Sequence, residues 1–339
     1  VSAGETIEAP HPRETTSLHG HAAAEQAFLD AYRGRMPHAW LIGGPRGIGK
    51  ATLAYRMARF VFAHPDPTDA GKAGSLALPA GHPAVRRVAA QGHPDLLVLE
   101  RTVGDTGKLR TQIAVDDVRR TIGFFGSTAG EGGWRVCIVD SADELNAAGA
   151  NALLKILEEP PAKALLIVVS HAPGRLLPTI RSRCRRLALR ALDADDVARA
   201  LAGVLQREID EPEIKAAAAA SDGSVARALD LIGGAALAVR ERVNAMLDAL
   251  PVVDPMALHA LGDALGRSDE TAFAAFVDAV RDWLSARVTA ARAEPSRLVR
   301  FADAWEKLNV AARDVEIFHL ERKPFAFNVF GWLAAATRG

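Results

Sequence analysis

The stretch that most restricts this chain is "AWLIGGPRGIGKATLA", Ala39 to Ala54. An apolar run stops at a glycine-rich turn, and Leu53, Met57 and Val61 then fall on one face of a helical pattern. Strand, glycine loop and helix in that order make a phosphate-binding loop. Gly44, Gly47 and Gly49 let the backbone curl until its N–H groups, backed by the helix dipole, point at an anion. The expected nucleotide-binding set is Gly44, Pro45, Gly47, Ile48, Gly49, Lys50, Ala51 and Thr52, with Lys50 reaching the β- and γ-phosphates. A hydrolytic loop of this kind carries a hydroxyl after the lysine to ligate magnesium, and Ala51 stands there instead. Thr52 does not replace it, because one step along a helix is a rotation of about 100°.

A phosphate loop needs a sheet behind it. Apolar runs recur at Leu96–Leu99, Val136–Val139, Leu165–Val169 and Leu187–Leu189. Continuous rather than alternating hydrophobicity predicts strands buried on both faces, hence a mostly parallel sheet covered by helices. One covering helix begins near Val115, with Val118 and Ile122 on its inner face and Asp116 and Asp117 in its first turn, where the dipole favours carboxylates. Another begins after a capping Asn146 and stops at Pro160 and Pro161. Residues 63–94, rich in proline and glycine, read as a loop-rich insertion with one short helix near Val85–Ala90. Beyond residue 190 the strand signal ends. Short helices are expected over 193–206 and 211–220, then longer ones carrying Phe273, Phe276, Val280 and Trp283, and Leu298, Phe301, Trp305 and Leu308, at three–four spacing. Trp332 is a further bundle-packing residue.

The resulting expectation is α/β plus all-α. A loose arm covers 1–16, a P-loop domain with a parallel sheet 17–190, a small helical lid 191–236 and a helical bundle 237–339. Lys and Arg number 41, as do Asp and Glu, so no global basic field draws in nucleic acid. Cys137 and Cys184 cannot form a four-sulfur zinc site. His64, His82 and His93, in the proline-rich insertion, are expected to be solvated, and no structural zinc is expected. No apolar run approaches a membrane span, and no leader pattern opens the chain, so a cytoplasmic, membrane-free protein is expected.

A second acidic position follows from "RVCIVDSADEL". This buried strand ends in Asp140, placed to hold magnesium through water. The next residue in hydrolytic relatives is a glutamate that polarises the attacking water, and here it is Ser141. Serine is no general base at neutral pH. Asp143 and Glu144, two and three places beyond Ser141, read as a solvated helix start.

"NALLKILEEPP", a strand, and then "LLPTIRSRC", together with "HAWLIGGPRGIGKATLA", resemble bacterial clamp-loader subunits of the AAA+ superfamily, parts of the DNA polymerase III holoenzyme. The likeness covers about 17–190, continues through "GSVARAL" near 221–232, and rests on size and helical character alone beyond that. It implies a RecA-like core, a lid and a collar that joins subunits into a ring loading the sliding clamp onto primed DNA in replication. It implies that Arg183 of the Ser182–Arg183–Cys184 motif is an arginine finger for the neighbouring subunit's nucleotide, with Ser182 beside it. Guanidinium suits that task, since its planar fork pairs with phosphate oxygens. It puts Ser170 at the sensor-1 position, with His171 next to it, and gives His38 two equal readings, the purine pocket or a plain linker. Implied partners are the tau/gamma ATPase subunits, the delta subunit, the beta sliding clamp and primed DNA. Arg119 and Arg120 are the candidate DNA contacts.

The chain departs from the active pattern at Ala51, at Ser141 and at Ala226, where the lid arginine of active subunits falls; Arg227 comes one place later, on another face. Together these losses predict a subunit that does not hydrolyse, and the resemblance implies a stator-like part that takes ATP or ADP with magnesium ligation impaired. The alternatives are an active AAA+ motor subunit and a nucleotide-independent adaptor with a relic loop.

Overall fold

The computed structural model describes residues 9–71, 73–103, 110–126, 130, 133–232, 235–266, 270–291 and 294–338. Residues 1–8 of the expected arm lie outside the described residues. Ala9–Ile209 with Asp222–Ala226 make one compact unit, and Asp210–Ser221 with Arg227–Gly339 belong to a second.

In the first unit the elements run α1 (Ala22–Arg33), β1 (Ala39–Gly43), α2 (Lys50–Ala63), α3 (Pro83–Ala89), β2 (Leu96–Leu99), α4 (Val115–Gly126), β3 (Arg135–Val139), α5 (Ala147–Glu158), β4 (Ala164–Ser170), α6 (Pro178–Arg183), β5 (Arg185–Ala188) and α7 (Ala194–Leu205). The strands form one sheet in the order β2-β3-β4-β1-β5, and every pairing is parallel. This is the RecA-like P-loop sheet that the motifs predict. Alternate side chains feed two cores. Trp40, Ile42, Ile138, Leu165 and Ile167 pack on one face with α1 and α2, and Leu41, Cys137, Val139, Leu166 and Val168 pack on the other with α4 and α5. Each fully buried aliphatic side chain contributes roughly 1.5–3 kcal/mol. Gly43 pairs with Ser170 and Val139 with Val168, so the carboxyl ends of β1, β3 and β4 lie side by side. Open parallel sheets take their ligands at that edge.

Local signals behave mostly as their chemistry requires. The Asn146 side chain accepts from the Gly149 N–H at 2.8 Å and starts α5. On α4 the inner face is Val118, Thr121 and Phe125, and Ile122 is exposed, contrary to expectation. Thr121 can be buried because its hydroxyl donates to the Val118 carbonyl at 2.6 Å. Residues 9–16 are also held more firmly than a loose arm: Arg59 donates to the carbonyls of Arg13 and Thr15, and Arg56 to that of Thr16. His93 is buried rather than solvated. Its ring stacks on Phe62, centroids 3.7 Å apart, and its Nδ1 accepts from the Asp95 N–H. His82 caps α3 and His64 is half-buried against Phe60. Among the described residues no cluster of His, Cys, Asp and Glu could hold a metal.

The second unit holds α8 (Pro212–Ala220), all but the first two residues of α9 (Val225–Leu231), α10 (Ala235–Asp248), α11 (Pro255–Gly266), α12 (Glu270–Ala290), α13 (Pro295–Phe318) and α14 (Arg322–Arg338). Helices α10 to α14 share one core around Phe276, Phe301, Leu308 and Phe330. Trp283 meets Phe301 edge-on at 5.9 Å, and Trp332 packs against the same core. Trp305 does not join it: the residue is 36% exposed, and Ala304 fills the inner position of α13. Among the described residues no helix is long and apolar enough to cross a membrane.

Candidate nucleotide-binding site

The phosphate loop fills the turn between β1 and α2. Gly47 has φ +73° and Gly49, the N-cap of α2, has φ +93°, conformations that L side chains rarely adopt. The loop is tied down on three sides. Gly44 N–H donates to the Ser170 carbonyl at 3.3 Å, and Leu189 N–H to the Gly43 carbonyl at 2.8 Å. The buried ring of His21 reaches the Ile48 carbonyl through Nε2 at 2.7 Å. Val225 N–H, at the start of α9, donates to the Gly47 carbonyl at 2.9 Å. The Lys50 ammonium folds back onto the Pro45 carbonyl. Burial lowers its pKa to about 8, against the pull of Asp140 and Asp143. Pro45 is exposed, and Ala51 and Thr52 are half-buried on the first turn of α2.

Asp140 lies just past the end of β3. Burial pushes its pKa up to about 6, helped by the carboxylates of Glu100 and Glu144 and opposed by Lys50. A magnesium ion needs hard oxygen donors. Of the two positions that would supply them here, Asp140 offers a carboxylate and Ala51 only a methyl group. The residues present do not fit a fully ligated magnesium.

Ser141 is buried, with its Oγ 3.0 Å from His171 Nε2. Burial, then the charges of Lys50 and Arg46, lower the His171 pKa to about 4, so the ring is neutral at pH 7. Asp143 is not a solvated helix start. Its carboxylate accepts from Ser170 Oγ at 2.9 Å, His171 N–H at 2.5 Å and Ala172 N–H at 3.1 Å. Glu144 meets Arg101 Nε at 2.8 Å. A 3-10 turn, Ala142–Glu144, sets Asp143 against the end of β4 and Glu144 against Arg101, which follows β2. Sequence reasoning missed this, since the partners of Asp143 come from a strand end 27 to 29 residues away.

The structure thus brings Lys50, Asp140 and Ser170 to one edge of the sheet with Ser141, Asp143 and His171. Ala226 follows Val225 on α9, and a Cβ added at Gly47 would meet its methyl group at 2.9 Å. Arg227 pairs with Asp282, Nη1 to Oδ2 at 2.7 Å, an oxygen it shares with Arg240 at 2.9 Å. His38 precedes β1, and its Nε2 lies 3.2 Å from the Leu157 carbonyl.

Two predicted groups lie apart from that edge set. Arg183 ends α6, where Nη2 meets Glu158 Oε1 at 2.8 Å and Nη1 donates to the Thr179 carbonyl at 3.1 Å. Ser182 Oγ donates to the same carbonyl. Arg119 and Arg120, exposed on α4, pair with Asp116 and Asp117 at 3.0 and 3.4 Å, which offsets the charge expected to meet DNA.

A family model described as DNA polymerase III, delta subunit, matches residues 21–193. DNA polymerase III subunit delta' of Pseudomonas aeruginosa is 41% identical over 162 residues, 47% of this chain and 46% of that protein. DNA polymerase III subunit gamma/tau of Mycobacterium tuberculosis is 31% identical over 263 residues, 75% of this chain and 42% of that protein. The chain therefore spans less than half the length of these curated relatives. Among solved structures, a DNA polymerase III gamma subunit-related protein from Thermotoga maritima aligns over 92% of this chain and 98% of its own, with 16% identity and a TM-score of 0.41.

Proposed function

The chain belongs to the DNA polymerase III delta subunit family, and from that premise we propose that it is a clamp-loader subunit of the delta-prime kind that does not hydrolyse ATP itself. It keeps a phosphate loop able to take ATP or ADP, and lends Arg183 to the nucleotide site of a neighbouring tau/gamma subunit. The delta subunit, the beta clamp and primed DNA are the further partners of this reading, with most of the DNA grip supplied by those partners. The core over 17–190, the lid over 191–236 and the collar over 237–339 are its working parts.

One observation carries the reading. Where a hydrolytic site needs an ionised carboxylate beside Asp140, a buried Ser141 is paired with a neutral His171. Neither group is an anionic base poised on a water. Ala51 and Ala226 remove a metal ligand and a phosphate contact from the same pocket. The three changes act on one chemical step, which favours a stator over an active motor.

The test has two parts. The isolated chain should turn over ATP no faster than its Lys50→Ala variant. Mixed with tau/gamma and delta subunits, clamp and primed DNA, the wild-type chain should support ATP hydrolysis. Arg183→Ala should lower that rate by roughly 10³-fold at the one site it serves, with assembly intact. Magnesium-dependent turnover by the lone chain would overturn the stator, and an unaltered rate in the mixture would overturn the finger.

A further inference from the structure

We propose that Glu158 is a positioning residue for the Arg183 guanidinium. The inference rests on the reading of Arg183 as a group that serves a neighbouring nucleotide. Glu158 is the last residue of α5, and Arg183 the last of α6. A carboxylate at a helix C-terminus opposes the helix dipole, so this position is a poor one for an acid unless a cation meets it. Here the cation is Arg183, 2.8 Å away. Glu159 caps the helix, and Pro160 and Pro161 after it keep the helix from continuing, which fixes where Glu158 stands.

The geometry also shows what the contact leaves available. A guanidinium has five N–H donors in a rigid plane. Glu158 takes one from Nη2 and the Thr179 carbonyl takes one from Nη1. Two cis contacts on two different nitrogens set the plane of the fork without exhausting its donors. Arg183 is 35% exposed and Glu158 49% exposed, so the pair is wet and weak as a stabilising contact. Its effect is orientational: a long, flexible side chain is held on one bearing before a phosphate arrives, and pre-set geometry lowers a barrier without tightening ground-state binding.

The experiment uses the reassembled clamp loader with clamp and primed DNA, and reads kcat and KM for ATP separately. Glu158→Ala should lower kcat on the order of tenfold with KM unchanged. Glu158→Gln, whose amide oxygen still accepts from Nη2, should recover most of that loss. Assembly is checked by size-exclusion chromatography for each variant, and at 49% exposure neither substitution disturbs a core. Arg183→Ala is the control that separates the two claims. If Arg183→Ala lowers the rate at the site it serves while Glu158→Ala leaves kcat unchanged or raises it, positioning by Glu158 is wrong and the finger stands. If Arg183→Ala changes nothing, the finger itself is wrong. A raised KM at constant kcat, or failure of Gln to rescue, also counts against positioning.

Discussion

Ser170 Oγ donates to Asp143 Oδ1 at 2.9 Å and so staples the turn after β3 to the end of β4. The neighbouring N–H groups of His171 and Ala172 complete the clasp. Three hydrogen bonds to the ionised form hold the Asp143 pKa below the usual carboxylate range, although burial works against them. A group whose folded pKa is depressed stabilises the fold above its unfolded pKa and loses that contribution as pH falls through the folded value. Asp143→Asn should therefore cost about 1–3 kcal/mol at pH 7 and cost progressively less in the acid range below the ordinary carboxylate pKa. Urea unfolding of both proteins across that range checks the convergence.

Lys50 gives a slope of the same sign in a higher pH range. Its pKa is about 8 in the folded chain against 10.5 for the free side chain. Between those values the unfolded chain binds the extra proton, so stability rises with pH across that interval. Lys50→Met should abolish the rise and increase the melting temperature at pH 7 on the order of 2–4 °C. Equal melting temperatures for the two proteins at pH 7 would show that the ammonium is not paying for its burial.

Ala51→Thr restores the missing hydroxyl without touching Ser141. ATP binding to this variant should become magnesium-dependent, tighter by about tenfold in magnesium than in chelator, the worth of one good charge-assisted contact. Turnover should stay absent, because the Ser141–His171 pair is unchanged. Titration calorimetry and a phosphate-release assay read the two quantities independently.

Gly47→Ala combines two penalties. Its φ of +73° disfavours any Cβ, and the added methyl would collide with Ser224 Oγ and crowd Ala226. A loss of about 1–2 kcal/mol is expected from the backbone alone, with the collision added to it. Ser224→Gly in the same chain should recover only the collision part, as measured by denaturant midpoints.

The parallel sheet was legible because its strands are continuous apolar runs, and the phosphate loop because glycine spacing states a backbone requirement directly. The α4 face was misread at Thr121 and Ile122, since hydropathy does not reveal that a hydroxyl can satisfy itself on its own turn. His93 and Asp143 were hidden for another reason. Their surroundings are assembled from Phe62 in one case and the end of β4 in the other, partners fixed by packing and register rather than by neighbouring sequence. Trp305 illustrates the limit of periodicity, as a three–four rhythm does not say whether the tryptophan or the adjacent alanine faces inward. Gly44, Asp140 and Ser170 sit at or just past strand ends, as their motifs place them, while the contacts that His21, Asp143, His171 and Glu158 make became visible only in three dimensions.

The Gly47 carbonyl accepts the Val225 amide at the start of α9. That carbonyl and the Ile48 amide belong to one planar peptide unit, so neither can swivel without the other. Holding the carbonyl on Val225 therefore also fixes the direction of the Ile48 amide. A rotation of this one peptide would move a phosphate-loop amide and the tie to the start of α9 together.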